Sequence, residues 1–330
     1  MPANLTAQYH KAEEAYRRAA TPEEELSCLE VMLRELPKHK GTDKLQAELK
    51  QKISKAKKDA EQHKKSKKKT GGYRLPRQGA GRAVIIGGPN AGKSQLLKIL
   101  TRATPEVAPY PFTTHQPAPG MMPWEDVMVQ LVDTPPITGD VFDPVTQGLI
   151  RSADLVLLMI DLGCDEGIDQ VQELLGRVSQ TKTRLATSSH LDEDDIGVSY
   201  TRTFSVPNKI DLPDAAGRLE LLKEFCAIGF EEFIVSAQEG DGVENLRDAV
   251  YKSLDVVRVY TKLPTKKEAD YDRPFTIHRG GTLAEIAQLI HKDIAENLKF
   301  ARVWGSQVHD GTTVKGDYVL HDKDVVEVHV

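Results

Sequence analysis

The segment from Ala83 to Leu100 constrains the fold of this 330-residue chain more than any other. An apolar run is followed by a glycine-rich turn and then by a helical pattern that starts at Ser94. The turn fits the spacing G-x-x-x-x-G-K-[ST] between a strand and a helix, and it reads Gly87, Gly88, Pro89, Asn90, Ala91, Gly92, Lys93 and Ser94. Its glycines let the backbone wrap a phosphate, and the amides at the helix N-terminus favour an anion. The segment predicts a P-loop for a nucleoside triphosphate; a glycine-rich turn that matches by chance is the alternative.

Apolar runs and helical patterns alternate from Arg82 to about Arg258. The predicted strands are Ala83–Ile86, Val127–Val132, Leu155–Ile160, Thr203–Val206 and Phe233–Val235. The predicted helices include Ser94–Leu100, Val171–Val178, Ala215–Phe225 and Val243–Leu254. Because such alternation implies right-handed crossovers, we expect an α/β fold with a mostly parallel sheet and helices on both faces.

The composition, with 39% hydrophobic and 28% charged residues, is that of a globular protein and excludes wholesale disorder. The N-terminus lacks a signal-peptide pattern, and the longest apolar run is too short to span a bilayer. The cysteines Cys28, Cys164 and Cys226 are scattered, without zinc or disulfide-redox spacing. These features together predict a cytoplasmic protein with reduced thiols.

Two short segments indicate which base is bound. Asn208-Lys209-Ile210-Asp211 follows a predicted strand, and its aspartate can accept hydrogen bonds from the ring N–H and the exocyclic amine of guanine. Adenine offers the wrong pattern, and an unpaired buried carboxylate is costly, so discrimination on the order of 10⁴-fold is expected. Ser236-Ala237-Gln238 follows the next strand and would supply backbone donors to guanine O6. N-K-x-D alone is common on solvated loops; the strand before it and the Ser-Ala pair after it favour guanine.

Two further segments have the composition of a Mg²⁺-sensing site. Asp133-Thr134-Pro135 ends the Val127–Val132 strand, where a carboxylate would hold Mg²⁺ through water. Phe112-Thr113-Thr114 lies between the P-loop helix and that strand, where a mobile loop could bring a threonine hydroxyl to the ion. An ordinary strand end and an ordinary proline-rich surface loop remain the alternatives.

The flanks of the α/β region differ from it in composition. Residues 1–70 read as a basic helical hairpin and a lysine-rich linker, residues 82–258 as the α/β domain, and residues 273–330 as a small unit with one helix on a mixed sheet. Thr21 and Pro22 begin a helix that should stop near Leu36. Residues 1–82 hold 20 basic against 11 acidic residues, a balance of +9, whereas the rest holds 24 against 38, or −14. This asymmetry indicates a polyanionic partner for the N-terminal segment; a solvated helix face with a lysine-rich linker is the alternative.

With these motifs in this order, the chain resembles the Obg–DRG family of P-loop GTPases, and most closely its DRG branch. Leu36–Thr42 is similar to the helical hairpin of that branch, and Tyr110–Thr114 to its switch I. The resemblance implies that Thr114, or else Thr113, senses Mg²⁺, and that residues 273–330 form a TGS domain, a ubiquitin-like β-grasp module. The extra domain that many DRG proteins insert in the G domain has little room between Asp161 and Asn208.

Two positions depart from the common GTPase pattern. Family members usually have Asp-x-Pro-Gly at switch II, whereas this chain has Pro136 in place of the glycine, and proline has no N–H for the γ-phosphate. The Gly139 region could replace that donor. Ile137 stands where Ras-like proteins place the glutamine that orients water. Asn90 matches the asparagine of potassium-stimulated relatives, so K⁺ bound there could supply the missing transition-state charge.

The leading hypothesis is a slow Mg²⁺-dependent GTPase with catalytic residues Lys93, Thr114 and Asp133, acting as a switch on a ribosome or RNA. The competing hypothesis is a guanine-nucleotide-binding adaptor that has lost hydrolysis through Pro136. A P-loop kinase is a weaker third, because a kinase has no need of the guanine clamp Asn208–Asp211. RNA contact through the basic segment would be sequence-blind and salt-dependent. The TGS-like unit could bind RNA, a regulatory nucleotide or a protein; no DNA specificity is evident.

Overall fold

A computed structural model describes residues 5–19, 21–37, 40–67, 75–101, 116–192, 195–226, 228–266 and 268–330. Three parts follow one another along the chain: N-terminal helices, an α/β domain, and a smaller mixed sheet with helices. No helix in the described ranges is long and apolar enough to cross a membrane.

The N-terminal part has three helices rather than two: α1 (Ala7–Arg17), α2 (Pro22–Glu35) and α3 (Asp43–Lys67), with a 3₁₀ turn at Lys40–Thr42. The Thr21 hydroxyl accepts a hydrogen bond from Glu24 N at 3.3 Å, so the helix starts at the predicted cap. Leu49 and Ile53 of α3 are buried in a small core that also contains Leu191 of the α/β domain. The helices therefore pack on the α/β domain.

The α/β domain is built on an eight-stranded sheet in the order β2-β3-β1-β4-β7-β5, with β6 and β8 also paired to β7. Its strands are β1 (Arg82–Gly87), β2 (Ala118–Trp124), β3 (Val127–Asp133), β4 (Leu155–Asp161), β5 (Thr183–Ala186), β6 (His190–Leu191), β7 (Ser199–Asn208) and β8 (Glu231–Glu232). Its helices are α4 (Lys93–Thr101), α5 (Pro144–Ser152), α6 (Glu166–Ser179), α7 (Ala215–Phe225) and α8 (Val243–Ser253). Among the strand pairs of the described residues in this sheet, β2–β3 and β6–β7 are antiparallel and the others are parallel.

Side chains alternate between the two faces of this sheet. Ile85 of β1 packs with α4 and α8, and Ile86 packs with α5, α6 and α7. The predicted α/β fold with covered faces is thus confirmed. Phe233–Val235 runs beside β7, and Phe233 N and Val235 N donate to Ser205 O and Pro207 O, although the strand pairing itself is at Glu231–Glu232.

The second sheet has five strands in the order β10-β9-β13-β11-β12. Its elements are β9 (Val256–Thr261), β10 (Asp270–His278), α9 (Leu283–Ile290), α10 (Lys292–Glu296), β11 (Phe300–Gly305), β12 (Val308–Val314) and β13 (Asp324–His329). It begins before residue 273, because β9 lies between β10 and β13. The sequence-based boundary at residue 258 falls inside β9, and only the pairing shows which sheet this strand joins.

Arg258 of β9 ties this sheet to the α/β domain. The Arg258 side chain is 4% exposed and donates to Asp126 at 2.9 Å, in the turn between β2 and β3, and to Asp322 at 2.8 Å. Tyr260 also donates to Asp126. Hydrogen bonds to charged groups are among the stronger ones, so the turn after β2 is held against the C-terminal sheet.

Candidate functional site: a phosphate loop and a base clamp

The P-loop leaves the end of β1, between β3 and β4 in the middle of the sheet. Asn90 and Gly92 have positive φ angles of 59° and 93°, which let the loop turn back on itself. A Cβ added at Gly92 would lie 2.2 Å from Asn208 Nδ2, so the loop needs glycine here for space as well as for conformation. The strand–loop–helix arrangement that the motif requires is present.

Lys93 folds back over the loop. It is 7% exposed, and its Nζ donates to Gly88 O at 2.8 Å and to Gly87 O at 3.2 Å. Burial lowers the pKa of Lys93, while the nearby Asp133 carboxylate acts in the opposite direction. The ammonium group is thus held where phosphate oxygens would lie in a P-loop complex.

Asp133 and Ser94 meet across the same cleft. Ser94 Oγ donates to Asp133 Oδ2, while Asp133 Oδ1 is buried without a hydrogen-bond partner among the described residues. Burial raises the pKa of Asp133, and the hydrogen bond from Ser94 and the charge of Lys93 partly offset this. A hydroxyl and a carboxylate with an unused oxygen fit Mg²⁺, which commonly takes one or two protein oxygens together with phosphate and water. The described part of the chain has no cluster of three or more His, Cys, Asp or Glu side chains for a protein-only site.

Asn208 joins the base-binding segments to the P-loop. It is 2% exposed; its Nδ2 donates to Ala91 O at 2.9 Å, and its Oδ1 accepts from Ala237 N at 2.9 Å. Ser236 Oγ accepts from Glu239 N at 3.0 Å, which closes the turn after Val235. A single buried amide thus fixes the phosphate loop and the Ser236–Gln238 turn relative to each other.

Lys209 and Asp211 complete this end of the site. Lys209 has a φ of 69°, and its Nζ donates to Asp161 Oδ2 at 2.6 Å. Asp161 ends β4, is 4% exposed, and also accepts from Gly163 N at 2.7 Å. Sequence analysis missed Asp161; an aspartate directly after a buried strand, as at Asp133, was the available signal. Asp211 is exposed at the end of this segment.

The cleft itself has a volume of about 440 Å³. Its walls come from the P-loop, from the start of β2 and from the end of β3 with the segment after it. The lining residues are Asn90, Ala91, Gly92, Lys93, Ser94, Gln95, Gln116, Ala118, Asp133, Thr134, Pro135 and Pro136. The predicted switch I residues Phe112, Thr113 and Thr114 lie outside the described residues, although Gln116 and Ala118 just after them reach the cleft.

The segment after Asp133 has few free backbone donors. Thr134 N donates to Ile85 O at 3.3 Å, Ile137 N to Gly87 O at 3.2 Å and Thr138 N to Val141 O at 3.1 Å. Pro135 and Pro136 have no N–H. Ile137 is 2% exposed and packs in the core, and Gly139 lies against Glu173 rather than among the residues that line the cleft. The expected γ-phosphate donor at position 136 therefore has no evident replacement from residues 134–138.

Comparison with known proteins shows which families this chain resembles. Residues 82–189 match the family described as 50S ribosome-binding GTPase, and residues 257–330 match the TGS domain. An uncharacterised GTP-binding protein of Methanocaldococcus jannaschii is 28% identical over 93% of this chain and 92% of its own length. Developmentally-regulated G-protein 1 of Arabidopsis thaliana is 25% identical over 92% of this chain and 90% of its own length.

These matches support the resemblance to the Obg–DRG family that the sequence motifs indicate. The chain resembles DRG-type GTP-binding proteins over more than nine-tenths of its length, and its C-terminal end matches the TGS domain. The solved YchF GTPase of Schizosaccharomyces pombe covers 78% of this chain, and all of its own chain is covered, at 12% identity and a TM-score of 0.49.

The lengths of these alignments reveal a difference between this chain and its DRG-type relatives. The alignments run over 362 and 361 positions, more than the 330 residues of this chain, so both relatives contain segments that this chain lacks. Between β4 and β7, where the DRG branch often has an inserted domain, the described residues of this chain form only α6, β5 and the two-residue β6.

Proposed function

We propose that this DRG-type protein hydrolyses GTP slowly, with Mg²⁺, and that its nucleotide state controls binding to a ribosome or another RNA. The observation that supports hydrolysis is the convergence of Lys93, Ser94 and Asp133 on one cleft that Asn208 joins to the base-binding turn. Phosphoryl transfer depends mainly on positioning and on charge stabilisation, which these residues can provide.

The proposed residues divide the work as follows. Asp211 accepts hydrogen bonds from guanine, Lys209 lies under the base, and the amides of Ser236–Gln238 face its O6. Lys93 moves from Gly87 O and Gly88 O to the β- and γ-phosphates, whose oxygens are stronger acceptors than neutral carbonyls. Ser94 and Asp133 would hold Mg²⁺, which neutralises charge on the phosphates.

Slow hydrolysis follows from the segment after Asp133. Ile137 is buried and apolar, so it cannot orient a water molecule, and Pro136 donates nothing to the γ-phosphate. In this proposal K⁺ at Asn90, an exposed residue on the rim of the cleft, supplies part of the missing positive charge, and Thr114 senses the γ-phosphate through Mg²⁺.

The second candidate function is a guanine-nucleotide-binding adaptor without hydrolysis. It is favoured by one observation: the backbone amides of residues 134, 137 and 138 are all engaged elsewhere, and residues 135 and 136 have none. Retention of Lys93, Ser94 and Asp133 in the cleft favours the GTPase.

Single-turnover GTP hydrolysis distinguishes the two. Purified protein with Mg²⁺ is compared with Lys93→Ala in K⁺ and in Na⁺ buffer. Slow hydrolysis that Lys93→Ala abolishes supports the GTPase, and faster turnover in K⁺ supports the role of Asn90; equal turnover in both salts removes that role. Tight GTP binding without hydrolysis above the Lys93→Ala level supports the adaptor.

Nucleic-acid binding is proposed for the N-terminal helices. Lys50, Lys55, Lys57 and Lys58 of α3 are exposed or half-buried, while Leu49, Ile53 and Ala56 form its buried stripe. Binding of ribosomal RNA should weaken linearly with the logarithm of salt concentration, and replacing two of these lysines by glutamine should reduce the slope by about 2. An unchanged slope would place the contact elsewhere, with the TGS domain as the next region to test.

A further inference from the structure

A second cleft, of about 580 Å³, lies where α1, the β6–β7 hairpin and the TGS domain meet. Arg17 and Arg18 line it from α1, Arg202 from β7 and His278 from β10. Asp154, which also lines it, directly precedes β4, whereas the GTP-binding segments follow the carboxyl ends of the strands. The two clefts share no lining residue and lie at opposite ends of the parallel strands.

Arg17 is the unusual group in this cleft. It is 4% exposed, its Nη1 is buried without a partner, and its guanidinium has no hydrogen bond or ion pair within the described part of the chain. Burial lowers the pKa of Arg17 to about 10, with the adjacent Arg18 as the next cause. The carboxylates of Asp154 and Glu14 are close enough to act in the opposite direction, but neither makes a hydrogen bond or ion pair with Arg17. A buried guanidinium without a direct partner is unfavourable, so a further partner is expected.

Two more guanidinium groups in the cleft have unused donors. The Nε atoms of Arg18 and Arg202 are buried without hydrogen-bond partners in the described ranges. The Arg18 terminal nitrogens already contact His278 Nε2, at 3.2 Å each, and Arg202 Nη1 donates to Ser253 O at 3.3 Å. These contacts hold both side chains in place, and they leave the Nε–H of each arginine without an acceptor among the described residues.

The carboxylates around the cleft are already paired. Glu14 pairs with Arg18 and Glu13 with His10. Asp154 pairs with Arg77 and with Arg18, and it also accepts from Arg82 N at 2.8 Å. Asp255 accepts from Arg279 at 2.8 Å. Glu14 and Asp154 thus share Arg18, Glu13 pairs only with an imidazole, and Asp154 Oδ1 has no hydrogen-bond partner among the described residues. No carboxylate in the described ranges makes an ion pair with Arg17, so its guanidinium is the least compensated charge of the cleft.

We propose that this cleft is a second ligand site, in which a phosphate group accepts hydrogen bonds from Arg17, Arg18 and Arg202. Guanidinium groups suit phosphate because their planar donors match its oxygens, and a phosphate has more acceptor oxygens than a carboxylate for three converging arginines. The cleft is much larger than one phosphate, so the group is carried by a larger molecule, either a small phosphorylated metabolite or an RNA backbone. A ligand here touches the N-terminal helices, the G domain and the TGS domain together.

Thermal unfolding of the full chain tests the site, with Mg²⁺ and GDP saturating so that the P-loop is filled. Inorganic phosphate replaces chloride at constant ionic strength. At ten times its dissociation constant, phosphate should raise the unfolding midpoint by about 2 °C or more in the wild type, and this shift should be lost in Arg17→Met. The matched control is Arg34→Met, on α2 outside the cleft, where the side chain is 70% exposed and the shift should remain.

The phosphate-free midpoint gives a second, independent readout. Arg17→Met should unfold at the wild-type temperature or above it, because the substitution removes a buried charge that has no partner. A fall of several degrees without phosphate, together with a phosphate shift equal to that of wild type, would overturn the proposal. Should Arg17→Met fail to fold, Arg202→Met replaces it, with the same expected loss of the phosphate shift.

Two further ligands identify the source of the phosphate. AMP represents a small phosphomonoester, and a short single-stranded RNA without terminal phosphates represents a phosphodiester backbone. An Arg17-dependent rise in midpoint with either one supports the site and names its ligand class. No Arg17-dependent shift with phosphate, AMP or RNA would reject it.

Discussion

The two ends of the nucleotide cleft differ in how completely they are assembled without a ligand. At the proposed base end, Asn208 bonds both Ala91 O and Ala237 N, and Lys209 is fixed by Asp161, so these side chains are held in place without a ligand. At the γ-phosphate end, residues 134–138 use or lack every backbone N–H, and Asp133 keeps an oxygen without a partner among the described residues. The contrast implies that nucleotide binding is preorganised while the response to the γ-phosphate is weak or needs an added group.

The largest expected effect is at the base end. Asp211→Asn removes charge-assisted hydrogen bonds to guanine and should weaken GDP binding by about 10²- to 10³-fold. Titration with a fluorescent GDP analogue measures this. Asp214→Asn is the matched control, since it is on the same loop at a φ of 63° that asparagine tolerates, and its affinity should stay within about twofold. A loss below tenfold for Asp211→Asn would show that the carboxylate does not read the base.

The next effect tests whether the base end is truly preorganised. Asn208→Ala removes two buried hydrogen bonds and leaves Ala91 O and Ala237 N without their partner. The free energy of unfolding should fall by about 2–4 kcal/mol, and nucleotide binding should weaken as well. Urea unfolding of the nucleotide-free protein measures the first quantity. Asn297→Ala, at an exposed side chain, should cost under about 0.5 kcal/mol; equal losses in both variants would contradict the bridging role.

A smaller effect is expected at the γ-phosphate end. Pro136→Gly and Pro136→Ala both restore a backbone N–H, and each should speed single-turnover hydrolysis by about tenfold if the missing donor limits the rate. Comparing the two separates the donor from flexibility, because only glycine adds conformational freedom. Acceleration in Pro136→Gly alone would assign the effect to flexibility, and no change in either would show that the donor is not limiting.

The smallest effect concerns the carboxylate at the same end. Burial raises the pKa of Asp133, so its ionised form is disfavoured in the folded, ligand-free state. Asp133→Asn should therefore raise the unfolding midpoint of nucleotide-free protein by about 1 °C at pH 7. The gain should shrink as the pH falls and vanish below about pH 3, where the carboxyl is protonated in both the folded and the unfolded state. The variant should also lose Mg²⁺-dependent tightening of GTP binding; a lower midpoint at pH 7 would contradict the burial argument.

Sequence patterns located most of the fold and the proposed site, because those signals are local. The P-loop, Asn208–Asp211 and the Thr21 cap depend on residue types at fixed short spacings, and the structure places each next to the expected strand or helix. Patterns gave no warning that β9 joins the second sheet, since that depends on pairing between distant segments. The third helix, α1, was missed although a local signal was available, the cap at Thr6.

The sequence by itself determined the class of fold, the strand–loop–helix of the phosphate loop and the loss of the N–H at Pro136, and it predicted the guanine clamp, because each depends on chemical identity at a known spacing. Tertiary structure alone decided that Asp161 holds Lys209, that Ile137 N is already bonded to Gly87 O, and that Arg17 lies buried beside Arg18 without a hydrogen bond or ion pair among the described residues. These facts join residues up to hundreds of positions apart, as with Arg18 and His278, and burial and pairing at such separations exist only once the chain has packed.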